Sequence, residues 1–592
     1  MSSSLLPDCF EALASLPEHQ KTYSKCLKYG TAGFRDLADE LPLDAVFFRM
    51  GVLAAARSRV LGGKVMGVMI TASHNPEPDN GVKMIEPNGG MLVTDWEELC
   101  EKVANAEDVA TFRALIEKTL EGSTCKAGVV FVGCDTRSSS RRLLRCVCRG
   151  VAACGGYCEN WGELTTPALH HIVRQANGLG HEVSLASKEG FVRMFSEGFR
   201  RVTAGVSTDS QLSRGPVLVD AAGGVGFEMV EKVAETMSDT LAIEPRNGPA
   251  TPGLILNHEC GAEYVQKGRC PPKGSFSATA DAGHRIASLD GDADRLVYSY
   301  WDVDMKWHLL DGDKIAALLA EFIQAQLTLA GLKDDEDCQF AAVQTAYANG
   351  NSGRFIREKL GARVEMAKTG VKYVEAVARD YPIGMYFEAN GHGTVVFKPQ
   401  ALAKFNSVLA DEKASAAARE AASRLIGLSW LINQAVGDAI SDFLAVEAVL
   451  AVNGWSIGEW DAMYEDLPSR QGKIFVKDRT VVQCTDDETA AIAPAELQPA
   501  IDALVAKREC GRAFVRPSGT EDAVRIYAEA KTEKDANELA FEVAKAAYEI
   551  VGGAPGKPTP AAADYGLDCY KPLRICFFIH AACVVPLWRL DR

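Results

Sequence analysis

Several things this 592-residue chain lacks narrow what it can be. Its 17 cysteines form no CxxC pair matched by a second pair, so a structural zinc site is not expected. A chain this long builds its core without disulfide staples, and reduced thiols in a cytoplasmic protein are the expectation. Positive charge is not in excess: 63 Lys plus Arg face 79 Asp plus Glu, a net charge of -16. Nucleic-acid affinity rests on clustered cations, so no nucleic-acid partner is expected. The start, Met1-Ser-Ser-Ser-Leu-Leu-Pro7, has no basic region followed by an apolar core, and no secretory signal is expected. A membrane span needs ~20 apolar residues. The most apolar stretch, residues 575–588, is shorter and is interrupted by His580 and Pro586, so it reads as a packed or unstructured tail rather than an anchor. No low-complexity block and no short repeat period is visible.

What is present describes an ordinary globular protein of several domains. Hydrophobic residues make up 47% of the chain, enough for sizeable cores, and single cores stop growing at roughly 250–300 residues. Short apolar runs at 65–70, 129–133 and 217–220 read as buried strands. Amphipathic stretches at 96–116 and 227–236 read as helices, and 440–452 as a helix leading into a last unit. Strands alternating with helices predict an α/β protein with mixed or parallel sheets. Boundaries are expected at Asn177-Gly-Leu-Gly180 and near Asp290. Gly552-Gly-Ala-Pro-Gly-Lys-Pro-Thr-Pro560 has the composition of a linker and isolates the apolar tail.

Four loops carry candidate chemistry. Thr71-Ala-Ser73-His74-Asn75-Pro76 follows the 65–70 strand and exposes a serine hydroxyl suited to a nucleophile or phosphate carrier. It is not a hydrolase elbow, because Gly does not flank the serine in G-x-S-x-G form, and a plain turn serine is the simpler alternative. Asp290-Gly-Asp292-Ala-Asp294-Arg295 places three carboxylates at alternate positions, able to converge on magnesium, manganese or calcium. The spacing is not that of an EF-hand, and a solvated acidic turn is the alternative. Glu388-Ala389-Asn390-Gly-His392-Gly can grip adjacent sugar hydroxyls through Glu388 and Asn390, while His392 holds a phosphate or shuttles a proton. Arg516-Pro517-Ser518-Gly519-Thr520, with Arg525 beyond it, offers two guanidinium groups, hydroxyls and backbone N–H groups to a phosphate, without the Gly-Lys-Ser/Thr ending of a Walker loop. A polar hairpin and a charged surface turn are the alternatives for these last two. Arg35, after the Gly-rich turn that begins at Tyr29, and Lys83 are further cations able to neutralise a phosphoryl group.

These four loops, in this order, resemble the α-D-phosphohexomutase superfamily from about Tyr29 to about Gly553. Within it, Glu388-Ala-Asn390-Gly-His392-Gly, Ala367-Lys-Thr-Gly-Val-Lys372 and residues 433–440 are similar to the phosphoacetylglucosamine mutases. The resemblance implies a multidomain α/β fold: three related α/β domains with mixed sheets and a C-terminal α+β domain around a central cleft. It implies a phosphoserine-loop domain at 1–180, a metal-loop domain at 181–300, a sugar-loop domain at 301–451, a phosphate-loop domain at 452–553, and a linker and tail at 554–592 to which no role attaches. It further implies interconversion of GlcNAc-6-phosphate and GlcNAc-1-phosphate, on the route to UDP-GlcNAc, by a cytoplasmic monomer or weak homo-oligomer. One magnesium ion per chain would be held by Ser73 as phosphoserine together with Asp290, Asp292 and Asp294, and a sugar bisphosphate would serve as intermediate and activator. Arg35, Lys83, Arg295 and His392 would act in catalysis. Glu388, Ala389, Asn390, Arg516, Pro517, Ser518, Gly519, Thr520 and Arg525 would bind substrate. A mutase acting on glucose, mannose or glucosamine phosphate, a retired mutase scaffold and, remotely, a serine hydrolase are the competing readings. The chain departs from the superfamily at Gly223, where Asn is usual. A glycine there is expected to take the same left-handed turn.

Overall fold

The computed structural model describes residues 6–30, 33–35, 44–212, 214–519 and 522–554. These fall into two compact units, divided after Asp466. Three sheets build the first. Strands β1 (Val65–Ile70), β2 (Val82–Ile85), β3 (Val129–Cys134) and β4 (Tyr157–Glu163) lie in the order β2-β1-β3-β4. Strands β5 (Val217–Asp220), β6 (Ile243–Arg246), β7 (Arg285–Leu289), β8 (Leu296–Trp301) and β9 (Trp307–Leu310) lie in the order β6-β5-β7-β8-β9. Strands β10 (Phe340–Thr345), β11 (Arg363–Ala367), β12 (Ile383–Phe387) and β13 (Gly393–Phe397) lie in the order β11-β10-β12-β13.

All three sheets are mixed in the same way. A parallel core ends in an antiparallel step, from β1 to β2, from β7 to β8 and from β12 to β13. The connection at that step carries Ser73, Asp290–Asp294 or Glu388–His392 respectively. Each loop follows the C-terminal end of a fully or largely buried strand, the edge where open α/β sheets place their ligand sites. β1 shows how the strand is fixed: Met66, Val68 and Ile70 enter one apolar core, with residues of helix Asp44–Val60, while Met69 enters a second, with Leu169 and Ile172 of helix Thr166–Ala176. This period-two alternation has both faces buried, which is why the run reads as continuously apolar.

Three expectations change. The 96–116 stretch is two helices, Thr94–Ala104 and Val109–Leu120, broken at residues 105–108, where Asp108 accepts from Thr111 N and caps the second. A boundary at 300 would cut β8, whose sheet continues to Leu310. The last unit begins at Leu467 rather than 452. Helix Ile457–Asp461 belongs to the first unit, because Trp460 is buried edge-on against Tyr298 and donates its indole N–H to the Lys314 carbonyl at 3.1 Å. Residues from Met69 to Trp460 share one core.

The second unit holds a three-stranded antiparallel sheet, β14 (Ser469–Phe475), β18 (Ala523–Glu529) and β17 (Arg512–Pro517) in that spatial order, and a two-stranded ribbon, β15 (Gln483–Cys484) and β16 (Ala491–Ala493). Helix Glu533–Val551 packs Leu539, Val543 and Ala547 on Ile474, Val515 and Ile526 of the sheet. Among the described residues, no helix is long and apolar enough to cross a membrane. The tail from residue 555, like Thr520, lies outside the described residues.

Candidate active site

Ser73 sits just beyond β1 with a positive φ of 52°, an unusual conformation for a residue with a side chain, and it is fully buried. Its strain is held from several sides. Thr71 Oγ1 accepts from Ser73 N at 2.8 Å. The Ser73 carbonyl accepts from Arg137 Nη2 at 2.9 Å and from Asn257 Nδ2 at 2.8 Å. Arg137 also donates to the carbonyls of Asn75 and Asp79, and it is anchored by Asp135 at 2.9 Å. A side chain in so costly a backbone conformation persists only where its surroundings over-determine it. The result aims the hydroxyl at the metal loop: Ser73 Oγ donates to Asp290 Oδ2 at 2.8 Å and lies 3.4 Å from Asp294 Oδ1.

Asp290, Asp292 and Asp294 are buried and converge. One oxygen from each lies within 4.8 Å of the others. Asp290 Oδ1 accepts the N–H groups of Asp294 and Arg295, which curls the loop. Asp292 Oδ2 accepts from Thr166 Oγ1 at 2.6 Å, while its Oδ1 is buried with no hydrogen-bond partner. Burial, and then the charges of Asp294 and Asp292, push the Asp290 carboxyl well above its ordinary range. Burial opposes the charge on Asp294 as well, but His392, Lys83 and Arg295 outweigh it and hold that carboxyl below its ordinary range. An orphaned carboxylate oxygen, a raised neighbour and a set of hard oxygen donors fit a divalent cation such as magnesium. The solvated-turn alternative fails on burial alone.

The cations foreseen in the sequence gather here. Lys83, on β2, places Nζ 3.3 Å from Asp292 and 3.8 Å from Asp294. Phe34 pairs with Val82 through two backbone hydrogen bonds, which sets Arg35 beside that strand. Burial lowers Arg35, while the charges of Asp292 and Asp294 draw it back. Arg295 pairs with Glu263 at 2.6 Å and lies 3.8 Å from Asp294. His74 is pushed down to about 3 by burial and then by Arg295, so it is neutral at physiological pH.

The sugar loop is a hairpin, as its plain alternative required, and it also reaches the site. His392 Nδ1 lies 2.8 Å from the Asp294 carbonyl, and its Nε2 is buried without a partner. Asn390 braces the loop: its Oδ1 accepts from His392 N at 2.9 Å, and its Nδ2 is 3.5 Å from Glu388. The Ala389 carbonyl accepts from Gly312 N at 3.3 Å, at the start of helix Gly312–Leu329. Gly391 has φ +85° and takes Leu296 N on its carbonyl at 3.1 Å, which ties the sugar loop to β8 and so to the metal loop. A Cβ at Gly391 would stand 1.8 Å from the Leu296 oxygen.

In the second unit, Arg516 and Arg525 face each other on β17 and β18, and Lys473 faces Arg525 from β14. Directly opposed residues share a face, so three cations form a row across the sheet, on the side away from helix Glu533–Val551. Guanidinium and ammonium groups side by side on one face can together accept an anion such as a phosphate. Glu488 approaches Arg516 at 3.7 Å. Pro517 ends β17, Ser518 N donates to the Ala523 carbonyl at 2.9 Å, and Gly519 is exposed at the turn.

Arg137, Asn257, Thr166, Glu263 and Lys473 were not visible as site residues in the sequence. The signal for Arg137 was its position: Asp135-Thr-Arg137 immediately follows the apolar run of β3. The others enter singly from distant elements.

The chain matches known families over most of its length. The models of phosphoglucomutase/phosphomannomutase alpha/beta/alpha domain I and C-terminal domain match residues 52–111 with 100–189, and residues 480–546. The model of phosphoacetylglucosamine mutase AMG1, domain III, matches residues 311–455. The human phosphoacetylglucosamine mutase is 43% identical over 548 residues, covering 92% of this chain and 97% of its own. A crystal structure of the Aspergillus fumigatus N-acetylphosphoglucosamine mutase with GlcNAc-6P and magnesium superposes with a TM-score of 0.85 at 38% identity, covering 92% of this chain and 98% of that one. A variant of the fungal enzyme in complex with glucose 1,6-bisphosphate gives 0.83 at 38% identity, covering 93% and 100%. Fold and loops together define an α-D-phosphohexomutase. Within that superfamily, the chain belongs to the phosphoacetylglucosamine mutase family.

Proposed function

We propose that this protein interconverts GlcNAc-6-phosphate and GlcNAc-1-phosphate, with Ser73 phosphorylated in the resting enzyme and a sugar bisphosphate as intermediate and activator. The observation that carries the proposal is the Ser73 hydroxyl, 2.8 Å from Asp290, buried where three carboxylates converge beside Lys83. Asp290, Asp292, Asp294 and a phosphoserine oxygen would hold a magnesium ion, which would supply Lewis-acid charge relief to the transferring phosphoryl group.

Lys83, Arg35 and Arg295 add fixed positive charge around the same group, in a buried setting where each counts for more than in water. The phosphoryl group passes from Ser73 Oγ to the free sugar hydroxyl, whose proton must leave. His392 Nε2, buried and unpartnered, is a candidate acceptor. The bisphosphate then presents its other phosphate to Ser73. Glu388, with Ala389 and Asn390, holds the ring. Arg516, Pro517, Ser518, Gly519, Thr520 and Arg525 hold the phosphate that is not reacting. Binding energy spent there positions the reacting hydroxyl. Human and fungal relatives named for the acetamido sugar support the substrate assignment. A net charge of -16 argues against a nucleic-acid partner and does not exclude a small anionic sugar, which needs only a local cation cluster; no membrane partner is proposed. We place the enzyme in the cytoplasm as a monomer or weak homo-oligomer.

The test is a mutase assay with magnesium and a sugar bisphosphate, running GlcNAc-6-phosphate, glucose-6-phosphate and mannose-6-phosphate in parallel. The acetamido sugar is expected to turn over fastest, with activity lost in Ser73→Ala. A glucose or mannose preference would keep the chemistry and sink the substrate. Turnover surviving in Ser73→Ala would sink the phosphoserine.

A further inference from the structure

The proposed chemistry uses no cysteine, yet five of them crowd residues 134–158. Three are buried: Cys134, Cys146 and Cys154, whose thiols burial pushes up to about 12, about 12 and about 11. Thiols held that high stay protonated and unreactive. The remaining two are different. Cys148, on helix Ser140–Ala153, and Cys158, on β4, are only half-buried, and their sulfurs stand 3.0 Å apart. Non-bonded carbons sit at about 3.5–4.0 Å, whereas a disulfide bond is about 2.05 Å, so roughly 1 Å of side-chain adjustment separates the two sulfurs from a covalent bond. Cys158 Sγ–H donates to Cys148 Sγ, and that hydrogen bond lowers the Cys148 thiol while it, and then burial, raise that of Cys158, so Cys148 is the attacking sulfur and Cys158 the protonated partner.

We propose that Cys148 and Cys158 form a redox-active dithiol, which hydrogen peroxide closes to an intrachain disulfide and a thiol reductant reopens. The Cys148 thiolate attacks one peroxide oxygen. The O–O bond breaks, the sulfur becomes a sulfenic acid, and the departing oxygen leaves as water after taking up a proton. The Cys158 sulfur then attacks the sulfenic sulfur, the S–O bond breaks, the Cys158 proton passes to the departing hydroxide, and a second water leaves. Two thiols have lost two protons and two electrons, and the peroxide has gained them.

The cross-link fastens the helix that stands behind the Ser73 loop. In its first turn Ser140 Oγ donates to Asp135 Oδ1 at 2.7 Å, and Asp135 anchors Arg137, which grips the Ser73 carbonyl. The modification therefore tethers a support of the active site without consuming any residue of it.

The full-length reduced protein is exposed to hydrogen peroxide, alkylated, and digested with trypsin without reductant. Cys148 falls in the peptide spanning 146–149 and Cys158 in that spanning 150–174. The expected product is these two peptides linked, lighter by two hydrogens than their sum. It should persist in Cys146→Ser and Cys154→Ser, vanish in Cys148→Ser and Cys158→Ser, and vanish from wild type after dithiothreitol. Circular dichroism checks that each variant is folded. No linked pair from folded wild type would overturn the proposal, as would a linked pair that survives in Cys148→Ser or disappears in Cys146→Ser.

Discussion

His171 is buried against Phe191 and Phe195, with Nε2 3.1 Å from the Leu185 carbonyl. Burial first, only partly offset by that carbonyl, brings it down to about 4 from 6.5. Because its folded pKa lies below the unfolded one, the stability it supports is present above pH 6.5 and is lost as pH falls toward about 4, where the unfolded chain takes the proton and the folded one does not. Each pH unit in that window costs about 1.4 kcal/mol. Urea unfolding of wild type and His171→Gln, followed from pH 7.5 to 5, is therefore expected to show the gap between them moving toward the variant below pH 6.5. A gap independent of pH would refute a neutral buried His171. The same physics separates legible from illegible residues. Ser73 and the three aspartates announce themselves because each loop packs its chemistry into a few consecutive positions. Arg137 and Thr166 do not, since an Arg or Thr gains its role only when burial and a distant partner remove its alternatives.

At the scale of elements, the recurring unit is a strand ending in a functional loop that turns into an antiparallel neighbour. No repeat is visible in the sequence because what recurs is strand order, which many different apolar runs satisfy. The α/β alternation and the strands at 65–70, 129–133 and 217–220 were legible from short buried runs. The break at residues 105–108 was not, because apolar periodicity continues across it and only the Asp108 cap marks the new start. Two glycines show how tightly loops are specified. Gly223 has φ +69°, as its left-handed turn required, and a Cβ there would lie 3.3 Å from Leu256 Cα. Asn tolerates that conformation, so Gly223→Asn is expected to change stability by less than about 1 kcal/mol. Gly391→Ala must move backbone, since its Cβ would strike the Leu296 carbonyl. A loss of more than about 2 kcal/mol is expected, with a raised KM for phosphosugar as the loop leaves β8. Thermal melts and initial-rate kinetics of both variants decide it: equal behaviour would mean that the sugar loop is not held through Gly391.

At the scale of the whole molecule, the two units differ in what they must do alone. The first holds serine, carboxylates and sugar loop on three sheets around shared apolar packing. The second draws its core from its own residues, between Ile474 and Ala547, and ties down its C-terminal end where Ala554 N donates to the Phe475 carbonyl at 3.0 Å. A unit of that kind is large enough to fold independently. The fragment 467–554 is therefore expected to unfold cooperatively, and the Lys473–Arg525–Arg516 row gives it a ligand. Inorganic phosphate that binds the folded fragment stabilises it by RT ln(1 + [L]/Kd), about 1.4 kcal/mol at ten times Kd. Melting temperature should climb with phosphate, climb less in Lys473→Ala, and lose part of the gain as added chloride salt screens the row. Circular dichroism melts across a phosphate series carry the readout. A folded fragment indifferent to phosphate would mean that the row does not bind it. A fragment with no cooperative transition would mean that this core needs the rest of the chain. A full response in Lys473→Ala would confine phosphate binding to Arg516 and Arg525, the two cations that the sequence already displayed.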